Sequence, residues 1–203
     1  MTETNKFYIV QLKNCATFVK TYTMKFEDIL NNGHLWAVVY EGDEVDILTK
    51  TLSDWIDPDF LRLFFTDNRC DLEKYFRITN IDNAIYDTIA DASSLACLIL
   101  DLSPEANLNE LFRPLENYRM SEMLLSREKA KGKRISGHAS WLRLYAIKLE
   151  DNIFLITGGA IKLTQLMMER RHTLEQLERM ERVRNFLIEN SIIDKDSIKD
   201  YSE

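Results

Sequence analysis

Cysteine is scarce and scattered in this 203-residue chain: Cys15, Cys70 and Cys97 are odd in number and form no CxxC pair. That pattern argues against a disulfide framework or a cysteine zinc site, and for reduced thiols packed as small apolar side chains. Only 3 prolines and 6 glycines occur, so long disordered linkers are not expected. No apolar run reaches bilayer length; the longest candidate, around Leu95 to Leu102, is broken by Asp101. The opening MTETNKFYIV lacks a basic stretch followed by an apolar one, so no secretory signal is expected. These absences point to a cytoplasmic chain with no membrane contact. No GxxxxGK[ST], HExxH or GxSxG is present either. That lowers the NTPase, zinc peptidase and serine hydrolase readings and implies neither metal nor cofactor.

What the chain does have is segregated charge. The net of −7 conceals an acidic front, with 9 Lys and Arg against 19 Asp and Glu in residues 1–112. Residues 113–187 reverse the balance, with 15 basic against 9 acidic side chains. A basic portion of this kind could hold a phosphate backbone or an acidic partner; chance segregation of solvated charge is the alternative.

The pattern predicts one α+β domain over residues 1–203. Phe7–Leu12 and Leu35–Tyr40 read as strands, the latter followed by the turn-prone Glu41-Gly42-Asp43, and Met24 to Leu30 reads as a short helix. Val45, Leu48, Leu52, Trp55 and Ile56 recur at helical spacing. Asp57-Pro58 then reads as an N-cap with proline at the first helical position, opening a helix with Leu61, Phe64 and Phe65 on one stripe. Ile81 to Ile99 makes a longer amphipathic helix with Asp82, Asp87 and Asp91 outside. Leu102-Ser-Pro104 is a break. The acidic, helix-rich front thus covers 1–110.

In residues 111–190 a mainly antiparallel sheet is expected. Leu111 to Leu115 with Tyr118 reads as an edge element, since Pro114 excludes a central strand. Arg127 to Ser140 reads as a mobile basic loop, and Ser121 through Leu124 as helix. Trp141–Ile147 and Ile153–Thr157 form a hairpin about Glu150-Asp151-Asn152. Thr173-Leu-Glu-Gln176 has the form of a capping box. It would open a last helix with Leu174, Leu177, Met180, Val183 and Leu187 inward.

The stretch LRLYAIKLEDNIFLITGGAIKLTQ, followed by HTLEQLERMERVRNFL, resembles the C-terminal half of HigB-like toxins in the RelE/ParE superfamily of bacterial toxin–antitoxin systems. The shared features are an Arg-bearing strand, a tight turn, an apolar strand, a KKTQ-type segment and a final basic helix. Arg143 and Tyr145, then Lys162, Thr164 and Gln165, then Arg179, Arg182 and Arg184 carry the resemblance. It covers roughly Leu111 to Leu187; Leu163 replaces the usual second lysine, and Leu166 to Arg171 resembles an insertion. The resemblance implies a RelE-like fold and a type II toxin that cleaves translated mRNA, on or off the ribosome, without metal. It implies neutralisation by a helix-turn-helix antitoxin. It also makes Thr164, Gln165, Arg179 and Arg182 candidate RNA-binding residues.

The hairpin geometry adds to this. With Asp151 and Asn152 as the loop, Arg143 falls opposite Ala160 and Trp141 opposite Lys162. Arg143 and Lys162 then share one face as diagonal neighbours, roughly 7–8 Å apart. They repel unless an anion or a carboxylate lies between them; a phosphodiester is the functional candidate, and solvent or front-half glutamates the alternative. Metal-free RNA cleavage needs a base for the 2′-OH, stabilisation of the phosphorane charge and an acid for the 5′-oxygen. Arg143 suits the second task, Lys162 the second or first, and His172 the third, unless it is only a helix-start residue. Lys129, Lys131, Lys133 and Arg134 either track RNA or form a solvated loop. Gly158-Gly159 reads as a strand-end bulge, with a close approach of the backbone to a phosphate as the alternative. His34, Trp36 and Trp55 read as structural. A non-catalytic binding protein on the same fold, blocking a topoisomerase or serving as a partner module, is the competing function.

Overall fold

The computed structural model describes residues 24–100, 106–115, 125–131 and 137–202. The expected strand at Phe7–Leu12, the break at 102–104, Tyr118, the helix from Ser121 and the candidate site residues Lys133 and Arg134 lie outside them. The elements run β1 (Lys25–Asp28), β2 (Leu35–Val39), α1 (Ile47–Ile56), α2 (Pro58–Asp67), α3 (Ile81–Leu100), β3 (Arg113–Pro114), β4 (Ser126–Lys131), β5 (Leu142–Glu150), β6 (Ile153–Ile161), α4 (Arg171–Glu189) and α5 (Lys195–Ser202). The protein is α+β. Six strands form one sheet in the order β1-β2-β6-β5-β4-β3. Among the described residues only β2 against β6 is parallel, and the other pairings are antiparallel. No helix among the described residues is long and apolar enough to cross a membrane.

Two adjacent glycines show how the helices divide between the faces. A Cβ on Gly159 would lie 2.6 Å from Thr51 and 2.9 Å from Trp55, both on α1, whereas one on Gly158 would meet Gln176 of α4. Successive strand residues point to opposite faces, so α1 and α4 flank the sheet on opposite sides. Helices α2 and α3 join α1: Trp141, fully buried, donates its indole N–H to Thr88 Oγ1 of α3 at 3.0 Å and meets Phe65 of α2 edge-on. With both faces covered, the central hairpin is buried almost throughout, which is why its sequence reads as nearly continuous apolar runs.

Local chemistry explains the helix starts. The Asp46 carboxylate accepts from the N–H groups of Leu48 and Thr49, and Asp57 from those of Asp59 and Phe60 ahead of Pro58. Other expectations need correction. Met24 to Leu30 holds a strand, because Met24 and Phe26 are buried while Lys25 and Glu27 are exposed, a two-residue period. The basic stretch from Arg127 likewise begins as a strand, β4, with Glu128 and Ala130 inward. Thr173 does not cap α4: the helix already starts at Arg171, and the Thr173 hydroxyl donates to the carbonyls of Met167 and Arg170. Thr173 and Gln176 therefore take the buried side and Leu174 is exposed. Asp91 is buried against the start of β5, not outside, and Cys70 and Cys97 are exposed.

The hairpin register holds Arg143 opposite Ala160, but not by uniform pairing. Thr157 on β6 and Leu149 on β5 are each passed over, and the two slips cancel. Gly158-Gly159 lies inside β6 beside the first slip, not at a strand end. At the turn, Asn152 takes a left-handed φ of 61°, which asparagine tolerates. Its amide accepts from Leu108 N–H and donates to the Ala106 carbonyl, tying the turn to the segment that enters β3.

Candidate functional site: a basic cleft on the sheet

Helix α4 crosses its face of the sheet obliquely. Gln176 sits over Gly158, Met180 packs on Tyr145 and Ala160, and Arg184 reaches the Leu125 carbonyl at the start of β4. That path leaves one corner of the face uncovered. The corner is a cleft of about 1200 Å³ whose floor carries Lys129, Lys131, Arg143, Tyr145 and Lys162.

Strand register assembles this floor. Lys129 and Lys131 alternate outward on β4, opposite Tyr145 and Arg143. Arg143 in turn opposes Ala160 on β6, and Lys162 N–H bonds the Trp141 carbonyl at 2.8 Å, continuing the ladder. Two-residue periodicity on β4, β5 and the continuation of β6 thus gathers four cations on one surface. Arg113 of β3 and the acidic Glu110 join the rim. The opposite wall is apolar: Leu115, Leu166, Met167, Met168 and Leu177. Leu166 and Met168 are 64 % and 73 % exposed, which large apolar side chains seldom are without a partner.

Three of the four cations, Arg143, Lys129 and Lys162, are held by main-chain carbonyls. Arg143 Nη1 donates to Ser140 O and Leu142 O, each at 2.7 Å. Lys129 Nζ donates to Leu115 O at 2.8 Å, and Lys162 Nζ to Thr164 O at 2.7 Å and to Gln165 O. Among the described residues none of the four forms an ion pair. Burial, and next the Arg143 charge, pull Lys129, Lys131 and Lys162 below the ordinary lysine value. Burial lowers Arg143 as well.

Of the other sequence-derived candidates, Gln165 lines the cleft. Thr164 is buried, its hydroxyl donating to Leu166 O, and contributes its carbonyl to Lys162. His172 is not among the residues lining the cleft: its ring contacts the Ile161 carbonyl and packs edge-on against Phe64 of α2, and burial lowers its pKa. Arg179 lies over the Tyr40 ring, 5.6 Å from its centroid, and Arg182 acts on the same tyrosine; neither lines the cleft. Sequence reasoning missed Arg113 as a rim residue and Tyr145 as floor. The alternation of Ser126 to Lys131 was the available signal for β4, masked by its charge. A smaller hollow of about 460 Å³, between the β1–β2 turn and α5, shares no residue with the cleft. No group of three or more His, Cys, Asp or Glu among the described residues could hold a metal ion.

No family model, no curated protein and no solved structure matches the chain.

Proposed function

We propose that this chain is an RNA-directed toxin of the HigB-like kind, which grips a phosphodiester backbone in the Arg143–Lys162 cleft and cleaves translated mRNA without a metal. The observation that carries this reading is the gathering of Lys129, Lys131, Arg143 and Lys162 on one partly buried surface, none of them in an ion pair among the described residues. Like charges brought together and desolvated raise the energy of the empty site, and a polyanion relieves it. The resemblance supports the RelE-like fold as well: the Arg143 hairpin, the Lys162–Gln165 segment and the Arg-bearing α4 stand in the required order around one sheet.

In this mechanism Arg143 stabilises the charge that develops on the non-bridging phosphate oxygens. Lys162, its pKa depressed by burial and by Arg143, takes the 2′-hydroxyl proton. The 2′-oxygen bonds to phosphorus as the bond to the 5′-oxygen breaks, and an ammonium of Lys129 or Lys131 protonates the leaving oxygen. His172 has no part in it. The exposed Leu166 and Met168 beside the cations supply a surface for an acidic, amphipathic segment of a helix-turn-helix antitoxin.

Induced expression in a bacterium tests this, with growth and transcript integrity followed together. The parent chain is expected to arrest growth and cut message. Arg143→Ala and Lys162→Ala each lose about 100- to 1000-fold in cleavage rate, the usual effect of removing one oriented donor, while circular dichroism stays unchanged. The rate of the parent rises with pH up to a value below the ordinary lysine pKa. Growth arrest with intact RNA transfers the assignment to a non-catalytic binding protein. Neither effect, with purified ribosomes and no antitoxin, removes the toxin reading.

A further inference from the structure

One side chain in the cleft is energetically out of place. Tyr145 is 1 % exposed, and its hydroxyl has no hydrogen-bond partner among the described residues. Buried phenols normally find one, and an unmet hydroxyl in an apolar setting is destabilising. A phenylalanine at this position would fill the same contacts with Met180, Ala160, Leu115, Met167 and Leu177 without that penalty. Yet Tyr145 lies on the cleft floor, with Arg143 two residues away on the same face of β5 and Lys129 directly across on β4. The Arg143 charge acts on the phenol.

We infer that the Tyr145 hydroxyl is a ligand-binding donor of the cleft, unpaired in the empty protein because its acceptor is an anionic phosphate oxygen of the bound ligand. The inference rests on the RNA reading of the cleft. It adds a short-range, directional donor to a set of cations that attract any polyanion. The lysines supply charge, which acts at a distance and is screened by salt. The hydroxyl acts only on an oxygen in hydrogen-bond contact, so it selects a phosphate seated on the floor over one passing along the rim. Its neighbours Met167 and Leu177 are unbranched or singly branched side chains on the edge of the cleft; a rotamer change in them exposes the hydroxyl to an incoming oxygen.

The test is Tyr145→Phe in the full chain, which removes one oxygen and keeps all four cations. Two probes are used at low and moderate salt: a single-stranded decauridylate and inorganic pyrophosphate. The expected result has three parts. The unliganded variant melts at a higher temperature than the parent. Affinity for the probes falls roughly ten- to hundredfold, as for the loss of a hydrogen bond to a charged group. The salt dependence of binding is unchanged, because no cation is lost; a general loosening of the site would not leave that slope intact while raising stability. If pyrophosphate is bound and weakened by the substitution but RNA is not bound by the parent, Tyr145 keeps this role and the RNA reading falls. If the parent and the variant bind RNA equally, the role of Tyr145 is overturned and the RNA reading stands. A variant less stable than the parent overturns the inference too, since the hydroxyl then has a partner inside the protein, for which the unpaired carbonyl oxygen of Gln176 is the candidate. Binding of neither probe by the parent overturns both.

Discussion

A second buried group is under strain of a different kind. Asp91 on α3 is 1 % exposed, its carboxylate shut off from solvent beside Ser140 and His138. Burial pushes its pKa up; Ser140 and His138 oppose this, and Asp87 adds to it. A carboxyl raised in the folded state favours folding while protonated. That contribution is complete below the ordinary carboxylate pKa and is lost as pH rises through the elevated value. Asp91→Asn, neutral at every pH, should therefore melt above the parent at pH 8, with the gap closing toward about pH 4. Thermal unfolding at a series of pH values reads this. A pH-independent gap would assign the effect to packing, and a less stable variant at pH 8 would mean that Ser140 and His138 outweigh the cost of burying the carboxylate. Its burial was illegible in the sequence: Asp82, Asp87 and Asp91 have the same chemistry on one helix, and only the docking of Ser140–Trp141 against α3 distinguishes the third.

Among the elements, what the sequence disclosed depended on which rule its residues obeyed. The β5–β6 hairpin was legible because apolar content and turn chemistry agree. The two slips at Leu149 and Thr157 were invisible, yet they cancel, so the placement of Arg143 survived them. Strand β4 was missed because Ser-Arg-Glu-Lys-Ala-Lys has low β propensity; cross-strand pairing with β5 overrides that preference. The capping box failed because Arg171 and His172 extend the helix upstream of Thr173. Gly158-Gly159 does stand beside a register slip, but inside β6, and its tertiary reason is not legible in the sequence: helices press on β6 from both sides there. Gly159→Ala makes this measurable. Its methyl would lie within 3.0 Å of two atoms of the Trp55 ring and closer still to Thr51, and a ring held in the core cannot yield as a flexible chain end can. Overpacking of that kind costs about 1–3 kcal/mol, to be read as a lower urea midpoint at unchanged slope. A variant as stable as the parent would mean that α1 is not seated firmly on the sheet.

At the scale of the whole molecule, the charge division visible in the sequence becomes a division between faces only in part. Helices α1 to α3, from the acidic front, cover one side of the sheet, while Lys129, Lys131, Arg143 and Lys162 collect on the other. Arg179 and Arg182, which add to the same basic count, are spent beside Tyr40 instead. A polyanion should therefore approach from the cleft side and be repelled by the helical side. Single-stranded RNA releases about 0.7 of a counterion for each phosphate neutralised, and four cations on one floor predict a slope near −3 in log affinity against log salt. Lys131→Ala should make that slope shallower by about 0.7. Arg62→Ala is the contrasting variant: Arg62 is equally cationic, but it stands on α2, exposed and paired with Asp82 at 2.8 Å. Its loss should leave both slope and affinity where they were. Titrations of decauridylate from 50 to 200 mM salt separate the two cases. Equal shallowing by both variants would mean that RNA binds to net charge on either side of the protein, and the cleft would lose its claim to be the site.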